Sequence, residues 1–157
     1  MFNATDKKVI YVARSDADNP LASFSRHGFE LDGESWPSVE HYYHGMKFED
    51  GEVRESIRST PHPSDTAKLA KKHRRHIRKD WNKIRVTVMT RAIYIKCRSH
   101  PEVAAALQAT GELRIVETSQ YDYFWGCGRD ARGDNRYGEV LMNVRNKLRE
   151  EASASET

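Results

Sequence analysis

Apolar residues recur at helical spacing over much of this chain. In the segment 38–49, residues at offsets of three, four and seven positions are apolar: Val39, Tyr42, Tyr43 and Met46. The same spacing runs through the segment 135–150, in Tyr137, Val140, Leu141, Val144 and Leu148. Such spacing is typical of a helix that buries one face. It predicts a fold in which these two helices pack against a shared core.

Proline, glycine and capping residues divide the rest of the chain. They predict further helices over 51–59, 64–76, 81–98 and 101–110. β-Branched and aromatic residues predict only short strands, at 9–13 and 113–117, and a hairpin over 29–36. The predicted fold class is α+β, a single compact helix-dominated domain with a small β component.

The length of 157 residues leaves room for one core, which at this size buries roughly 70% of the unfolded surface. We assign residues 1–150 to that domain and expect residues 151–157 to form a flexible tail. The N-terminal residues lack an apolar signal region, and no apolar run reaches the ~20 residues of a membrane span. The expected location is therefore cytoplasmic, with no membrane contact.

The charge balance is close to even, with 26 Lys and Arg against 23 Asp and Glu and a formal net charge of +3. A uniformly basic nucleic-acid coat is therefore not expected, and any anion site must be local. Cys97 and Cys127 match neither a disulfide framework nor a zinc ligand set. The histidine pairs 41/44 and 73/76 also lack the other ligands of a metal site. We expect no metal and no cofactor.

The first polar, aromatic-rich segment runs from Trp36 to Phe48 and contains Glu40. Glu40 falls in the first helical turn, where the helix dipole favours an ionised carboxylate. His44 and Lys47 follow on the same stripe. An ionised Glu suits a base or a stabiliser of a cation, and the three side chains could line one wall of a cleft. The alternative is a Glu that only complements the dipole and pairs with His44.

The second such segment begins at Tyr121 and continues to Gly138. Asp122 precedes Trp125 in a glycine-rich loop, and Asp134 or Asn135 is the expected N-cap of the last helix. Backbone N–H groups at a helix start, with Arg136 adjacent, form a natural phosphate cradle. Trp125 offers a face on which a base can stack. The alternative is a glycine-rich turn with a core Trp.

Two further features leave the choice between function and structure open. Trp81, at the start of a helix, is either a stacking platform or an ordinary core residue. The segment 68–79 is the most basic stretch of the chain. It either grips phosphates of a nucleotide or nucleic acid, or forms a solvated helix face.

Four motifs in order together resemble the YbiA-like family, also called NADAR. They are Trp36-Pro37-Ser38-Val39-Glu40-His41-Tyr42 with Lys47-Phe48, Asp80-Trp81, Asp122-x-x-Trp125-Gly126, and Asn135-Arg136-x-Gly138. The chain departs from the family pattern in three places. Leu21-Ala22-Ser23-Phe24 stands where Leu-Ser-Asn-Phe is common, His44 stands where Gln is common, and Cys127 stands where Asp or Asn is frequent.

The resemblance implies an N-glycosidase that breaks a ribose C1–N bond without a metal. It implies catalytic roles for Glu40 and Asp122. It implies substrate-binding roles for Lys47, Trp81, Trp125, Gly126, Asn135 and Arg136. Glu40 would stabilise an oxocarbenium-like state and orient or deprotonate the attacking water. Asp122 would either hold the ribose hydroxyls or assist the leaving base.

The expected substrate is a small phosphorylated N-riboside, a ribosylaminopyrimidine phosphate intermediate of riboflavin biosynthesis in one branch of the family. One alternative is an ADP-ribosyl hydrolase that acts on guanine in nucleic acid and docks it through residues 68–79. Another is a non-catalytic module that binds ADP-ribose or NAD. No obligate protein partner is evident from the sequence.

Overall fold

A computed structural model describes residues 9–156. Its strands are β1 (Val9–Val12), β2 (Phe29–Leu31), β3 (Glu34–Trp36) and β4 (Arg114–Glu117). Its α-helices are α1 (Val39–Gly45), α2 (Gly51–Ser59), α3 (Pro63–Lys72), α4 (Trp81–Ser99), α5 (Pro101–Gln108) and α6 (Arg136–Ser155), with a 3-10 turn at Arg74–His76. The predicted fold class, a helix-dominated α+β domain with a small β component, is confirmed.

The strands form two separate pairs. β2 and β3 are antiparallel, and the turn between them places Asp32 at φ 54° and Gly33 at φ 79°. Positive φ at both central residues is the geometry of a tight hairpin, as the Asp-Gly sequence predicts. β1 and β4 pair in parallel, from Val9 opposite Arg114 to Val12 opposite Glu117. The chain therefore leaves both strands at the same edge, which brings distant segments together.

Helix α1 is buried along its whole length. Its N-cap is Ser38, whose hydroxyl accepts a hydrogen bond from the backbone N–H of His41. The prediction extended this helix to Glu49, but the structure ends it at Gly45. Beyond that residue, Lys47 and Phe48 donate their backbone N–H groups to carbonyls three residues back, so the α-helical ladder stops. A Cβ at Gly45 would lie 2.7 Å from the Trp36 ring, so the glycine lets that ring pack against the helix end.

The main core lies where α4 packs against α1 and α6, with α6 also packed against β4. Fully buried side chains here include Trp36, Tyr42, Met89, Ile115 and Tyr137. The predicted helical stripes face this core, with Met46 and Leu148 only partly buried at its margin. Within residues 9–156, no helix is both long and apolar enough to cross a membrane.

Two further helix ends differ from their predicted positions by more than two residues. The predicted helix over 64–76 breaks at His73, where φ −103° and ψ 22° leave the α-helical region, and a 3-10 turn follows. The last helix continues to Ser155, past its predicted end at Glu150. There Glu151 accepts a hydrogen bond of 2.6 Å from the Tyr94 hydroxyl of α4. Thr157 lies outside the described residues, and the mobility of the tail stays a prediction.

Candidate active site

A cleft of about 430 Å³ joins the two polar, aromatic-rich segments. The first segment contributes Glu40 and Lys47, and the second contributes Asp122 and Trp125. Arg14 lines the same cleft from the end of β1. The cleft forms at this place because the parallel β1–β4 pair delivers both of its following loops to the side of α1.

The Glu40 carboxylate is buried and held at both oxygens. The Arg14 guanidinium donates from Nη2 to Oε2 at 2.9 Å, and His44 donates from Nε2 to Oε1 at 3.2 Å. The side chain of Glu40 is 2% exposed. Burial alone would raise its pKa, but the Arg14 charge and the His44 hydrogen bond hold the pKa of Glu40 well below its ordinary value. The carboxylate is therefore ionised throughout the physiological pH range.

Arg14 is the central residue of the site, and the sequence reasoning missed it. Its Nη1 lies 3.4 Å from Asp122 Oδ2, so one guanidinium links both predicted catalytic carboxylates. The same cation lies 5.6 Å from the centre of the Trp125 ring and 5.7 Å from that of Tyr137. Burial lowers the pKa of Arg14, but Glu40 more than offsets this and raises the pKa above its ordinary value. The guanidinium is permanently charged.

The loop that contains Ser23 lies on the other side of Arg14. Ser23 Oγ accepts a hydrogen bond from Arg14 Nε at 3.4 Å, and its carbonyl accepts one from the backbone N–H of Glu40 at 3.2 Å. Two hydrogen bonds fix the loop itself. The Tyr137 hydroxyl donates to the Leu21 carbonyl, and Lys96 Nζ donates to the Ala22 carbonyl. The position where Asn was expected therefore carries a serine that contacts the buried ion pair.

Asp122 has one oxygen in a turn and one toward the cleft. Oδ1 accepts hydrogen bonds from the backbone N–H groups of Phe124 and Trp125, at 3.0 and 2.8 Å. Such an Asx-type turn fixes the direction of the loop. Oδ2 faces Arg14, and a third of the side chain is exposed. Whether Asp122 holds ribose hydroxyls or assists a leaving base stays a prediction.

A cluster of aromatic rings forms one wall. Tyr43 packs edge-on against Trp125 and Trp81, with ring centroids 5.6 and 5.0 Å apart, and its hydroxyl accepts the Trp125 Nε1 hydrogen at 3.2 Å. Trp125 and Tyr43 line the cleft, while Trp81 packs against Tyr43 and is not among the lining residues. The predicted stacking role of Trp81 stays a prediction, since the structure places the ring behind the wall.

Lys47 is a half-buried cation with no ion-pair partner in the described part of the chain. Its Nζ lies 5.4 Å from the Tyr43 ring centre and 5.8 Å from that of Trp81. Burial lowers the pKa of Lys47 to about 8, with Arg14 and Arg85 adding to the effect and Glu40 opposing it. A cation that forms no ion pair of its own favours binding of an anion.

Two arginines, Arg85 and Arg136, lie over the Phe124 ring. Arg85 was not predicted from sequence, and its guanidinium lies 3.4 Å from the ring centre. Its Nε is buried without a hydrogen-bond partner in the segment 9–156. Arg136 lies 5.9 Å from the same ring centre, is half-exposed and pairs with Glu139 at 3.5 Å. Arg136 therefore approaches the site but does not line the cleft.

Asn135 and Gly126 are not among the residues that line the cleft, and both contact protein. Asn135 is the N-cap of α6 in position, with φ 51°, but its side chain makes no capping hydrogen bond. Instead it accepts from the Glu117 backbone N–H at 2.8 Å and donates to the Ile115 carbonyl at 2.9 Å. A Cβ at Gly126 would lie 2.6 Å from Glu117 Oε1. Both residues brace β4 in the structure, and their substrate contacts stay predictions.

The fold and the cleft define a class of protein: a helix-dominated α+β domain with one buried, arginine-paired carboxylate beside an aromatic wall. Residues 4–149 match the NADAR domain. The chain belongs to the NADAR family, as the four sequence motifs predict.

Relatives with related folds and names support this assignment. N-glycosidase YbiA of Escherichia coli is 33% identical over 143 residues, which cover 91% of this chain and 89% of the relative. Its NMR structure matches with a TM-score of 0.83 over 92% of this chain and 87% of that chain. N-glycosidase Npun_R5314 of Nostoc punctiforme is 34% identical over 82% of this chain and 85% of the relative. Riboflavin biosynthesis protein VVA0006 of Vibrio vulnificus is 33% identical over 96% of this chain, which covers 41% of that longer protein.

Proposed function

We propose that this protein is an N-glycosidase that hydrolyses the ribose C1–N bond of a phosphorylated N-riboside. The proposed substrate is a ribosylaminopyrimidine phosphate intermediate of riboflavin biosynthesis. The names of the relatives from Escherichia coli and Vibrio vulnificus support the reaction and the substrate class. The observation that carries the proposal is the ionised Glu40 carboxylate, fixed by Arg14 and His44 in a cleft with an aromatic wall.

We expect Glu40 to stabilise positive charge on the sugar. Cleavage of a ribosyl C–N bond passes through an oxocarbenium-like state, which a fixed carboxylate favours in a site of low dielectric. Because its pKa is well below the ordinary value, Glu40 is a weak base. Of the two roles predicted for it, the structure favours stabilising the cation and orienting water over removing a proton.

The cations around Lys47 support a phosphorylated substrate. Lys47 lines the cleft without an ion-pair partner among residues 9–156, and Arg85 stands nearby with an unpartnered Nε. A phosphate monoester would neutralise this positive charge. Trp125 and Tyr43 would hold the planar base against the aromatic wall. A cleft of about 430 Å³ is within the usual range for small-molecule sites.

A second candidate function is removal of ADP-ribose from guanine in nucleic acid. The observation in its favour is that Ala67 of α3 lines the cleft, so the basic segment 68–79 begins at the cleft rim. Nucleic acid bound along that segment would reach the cleft. Such binding would weaken steeply with salt, whereas a small substrate would show little of that dependence.

The test is a chromatographic assay of the wild type on two substrates, a ribosylaminopyrimidine phosphate and ADP-ribosylated guanine DNA. Release of ribose 5-phosphate from the first supports the proposed function, and release of ADP-ribose from the second supports the alternative. Binding of ADP-ribose with cleavage of neither would indicate a non-catalytic module. Metal independence belongs to the proposal, so dialysis against EDTA should leave the rate unchanged.

A further inference from the structure

The two ring nitrogens of His44 have different surroundings. Nε2 lies 3.2 Å from Glu40 Oε1. Nδ1 is buried and has no hydrogen-bond partner in the described part of the chain. The side chain lines the same cleft as Glu40, one helical turn further along α1. A buried ring nitrogen without a partner is costly in a folded protein, so a function is expected for it.

The state of Glu40 determines which nitrogen carries the proton. An ionised carboxylate can only accept hydrogen bonds, so His44 Nε2 must be the protonated nitrogen. Burial lowers the pKa of His44 below its ordinary 6.5, and Glu40 only partly opposes this. The charged and titratable groups around His44 are Glu40, His41, Tyr43 and Lys47 from the segment of α1, and Arg14 from the loop after β1. The ring is thus neutral at physiological pH, with a free lone pair on Nδ1.

We infer that His44 is the general base of the proposed hydrolysis, with Nδ1 accepting a proton from the attacking water and Glu40 fixing the tautomer. This inference rests on the proposed function. A base held in orientation by a second group is a recurring arrangement in hydrolytic sites. Glu40, a weak base, then needs only to stabilise the cation, because His44 takes the proton.

The proton and electron balance of the step is simple. The water oxygen forms a bond to ribose C1 as the C1–N bond breaks, and the bond's electron pair leaves with the nitrogen. One water proton moves to His44 Nδ1, and the imidazolium that forms is stabilised by Glu40. That proton then passes to the leaving nitrogen, directly or through solvent, which yields the free amine and restores the neutral ring.

His41 on the same helix shows what a purely structural histidine looks like here. Its Nδ1 lies 2.7 Å from Ser38 Oγ, and its Nε2 lies 2.8 Å from the Thr60 carbonyl. Both nitrogens are therefore satisfied by the protein, and the ring fixes the start of α1. His44 differs from His41 in that its Nδ1 has no such partner among the described residues.

The test compares His44→Gln with the wild type on the ribosylaminopyrimidine phosphate across pH. Gln keeps a donor for Glu40 but cannot act as a base, so turnover should fall by about 100-fold or more. The acid limb of the wild-type profile, below about pH 6.5, should disappear. His62→Gln, an exposed histidine outside the cleft, is the matched control and should behave as wild type.

The outcomes separate this inference from the proposed function. A wild type that cleaves neither riboside contradicts the proposed function itself. An active wild type with an equally active His44→Gln and an unchanged acid limb overturns only the role of His44. Nitrogen-15 NMR of the wild-type imidazoles tests the inference without a variant. A neutral His44 protonated on Nε2 supports it, and protonation on Nδ1 overturns it.

Discussion

Two arginine–carboxylate pairs in this molecule have the same chemistry and different surroundings. Arg14 and Glu40 approach to 2.9 Å with side chains 12% and 2% exposed. Arg91 and Asp32 also approach to 2.9 Å, but with side chains 47% and 35% exposed. Water screens the second pair, which joins the hairpin turn to α4. The first pair is desolvated, so its charges strongly determine the properties of the cleft.

Removal of Arg14 should have the largest effect. Arg14→Ala leaves the Glu40 charge buried without its cation, and breaking such a pair costs about 3–5 kcal/mol. The free energy of unfolding, measured by urea denaturation, should fall by that amount. Arg14→Lys keeps a cation and should lose less. A change of under about 1 kcal/mol in Arg14→Ala would show that the pair is not desolvated.

The second-largest effect should come from removal of Trp125, the aromatic neighbour of the buried pair. Trp125→Ala deletes the ring that lines the cleft beside Arg14. If the ring stacks on the substrate base, binding should weaken by about 1–3 kcal/mol, which raises KM roughly 5- to 150-fold. Steady-state kinetics measures this, after circular dichroism has confirmed that the variant folds. An unchanged KM would contradict stacking.

The pH dependence of the unfolding free energy should also distinguish the Glu40 carboxylate from that of Asp32. Burial raises the pKa of Glu40, but Arg14 and His44 lower it by a larger amount. In the folded protein the pKa of Glu40 therefore lies below its ordinary 4.5. Its stabilisation is complete above about pH 4.5 and is lost as pH falls toward the folded pKa. Burial raises the pKa of Asp32, but its hydrogen bond with Arg91 helps to lower that pKa by more, to below the ordinary 3.8. Asp32 therefore also contributes stability that is lost as the pH falls.

The measurement is the unfolding free energy between about pH 6 and 3 for wild type, Glu40→Gln and Asp32→Asn. The Glu40→Gln curve should depend least on pH, and Asp32→Asn should stay close to wild type. Equal slopes in all three proteins would refute the contrast between the two pairs.

Disruption of the exposed pair should have the smallest effect. Arg91→Ala removes a largely solvated cation, and such pairs contribute roughly 0–1 kcal/mol. Arg91 also donates to the Tyr42 hydroxyl at 3.1 Å, and that hydroxyl keeps its 2.6 Å hydrogen bond to Asp32. The melting temperature should therefore change little, and catalysis should be unaffected. A loss comparable with that of Arg14→Ala would contradict the comparison.

Local patterns indicated candidate residues, and the family resemblance favoured a functional role for them. Glu40 stands in the first turn of an apolar-striped helix. Trp125 and Asp122 stand in a glycine-rich loop before the last helix. The ends of helices were less predictable. α1 ends at Gly45, where the Trp36 ring packs closely, and helical spacing alone does not reveal that contact.

Arg14 and Arg85 could not be found in the same way. Arg14 meets Asp122 because β1 pairs in parallel with β4, more than a hundred residues later, and no local pattern specifies that pairing. The available signal was indirect: a buried carboxylate requires a cation, and Arg14 directly follows a predicted strand. Arg85 contacts Phe124 only through the packing of α4 against the second segment.

The central claim is that the Glu40 carboxylate drives cleavage of the ribosyl C–N bond. The most direct measurement is the single-turnover rate of Glu40→Gln on the ribosylaminopyrimidine phosphate, with release of ribose 5-phosphate followed by chromatography. Glu52→Gln is the matched control, since Glu52 stands in the first turn of α2 and is exposed. We predict a fall of about 100- to 1,000-fold for Glu40→Gln alone, with the fold retained. A folded Glu40→Gln protein that cleaves the substrate at the wild-type rate would contradict the claim.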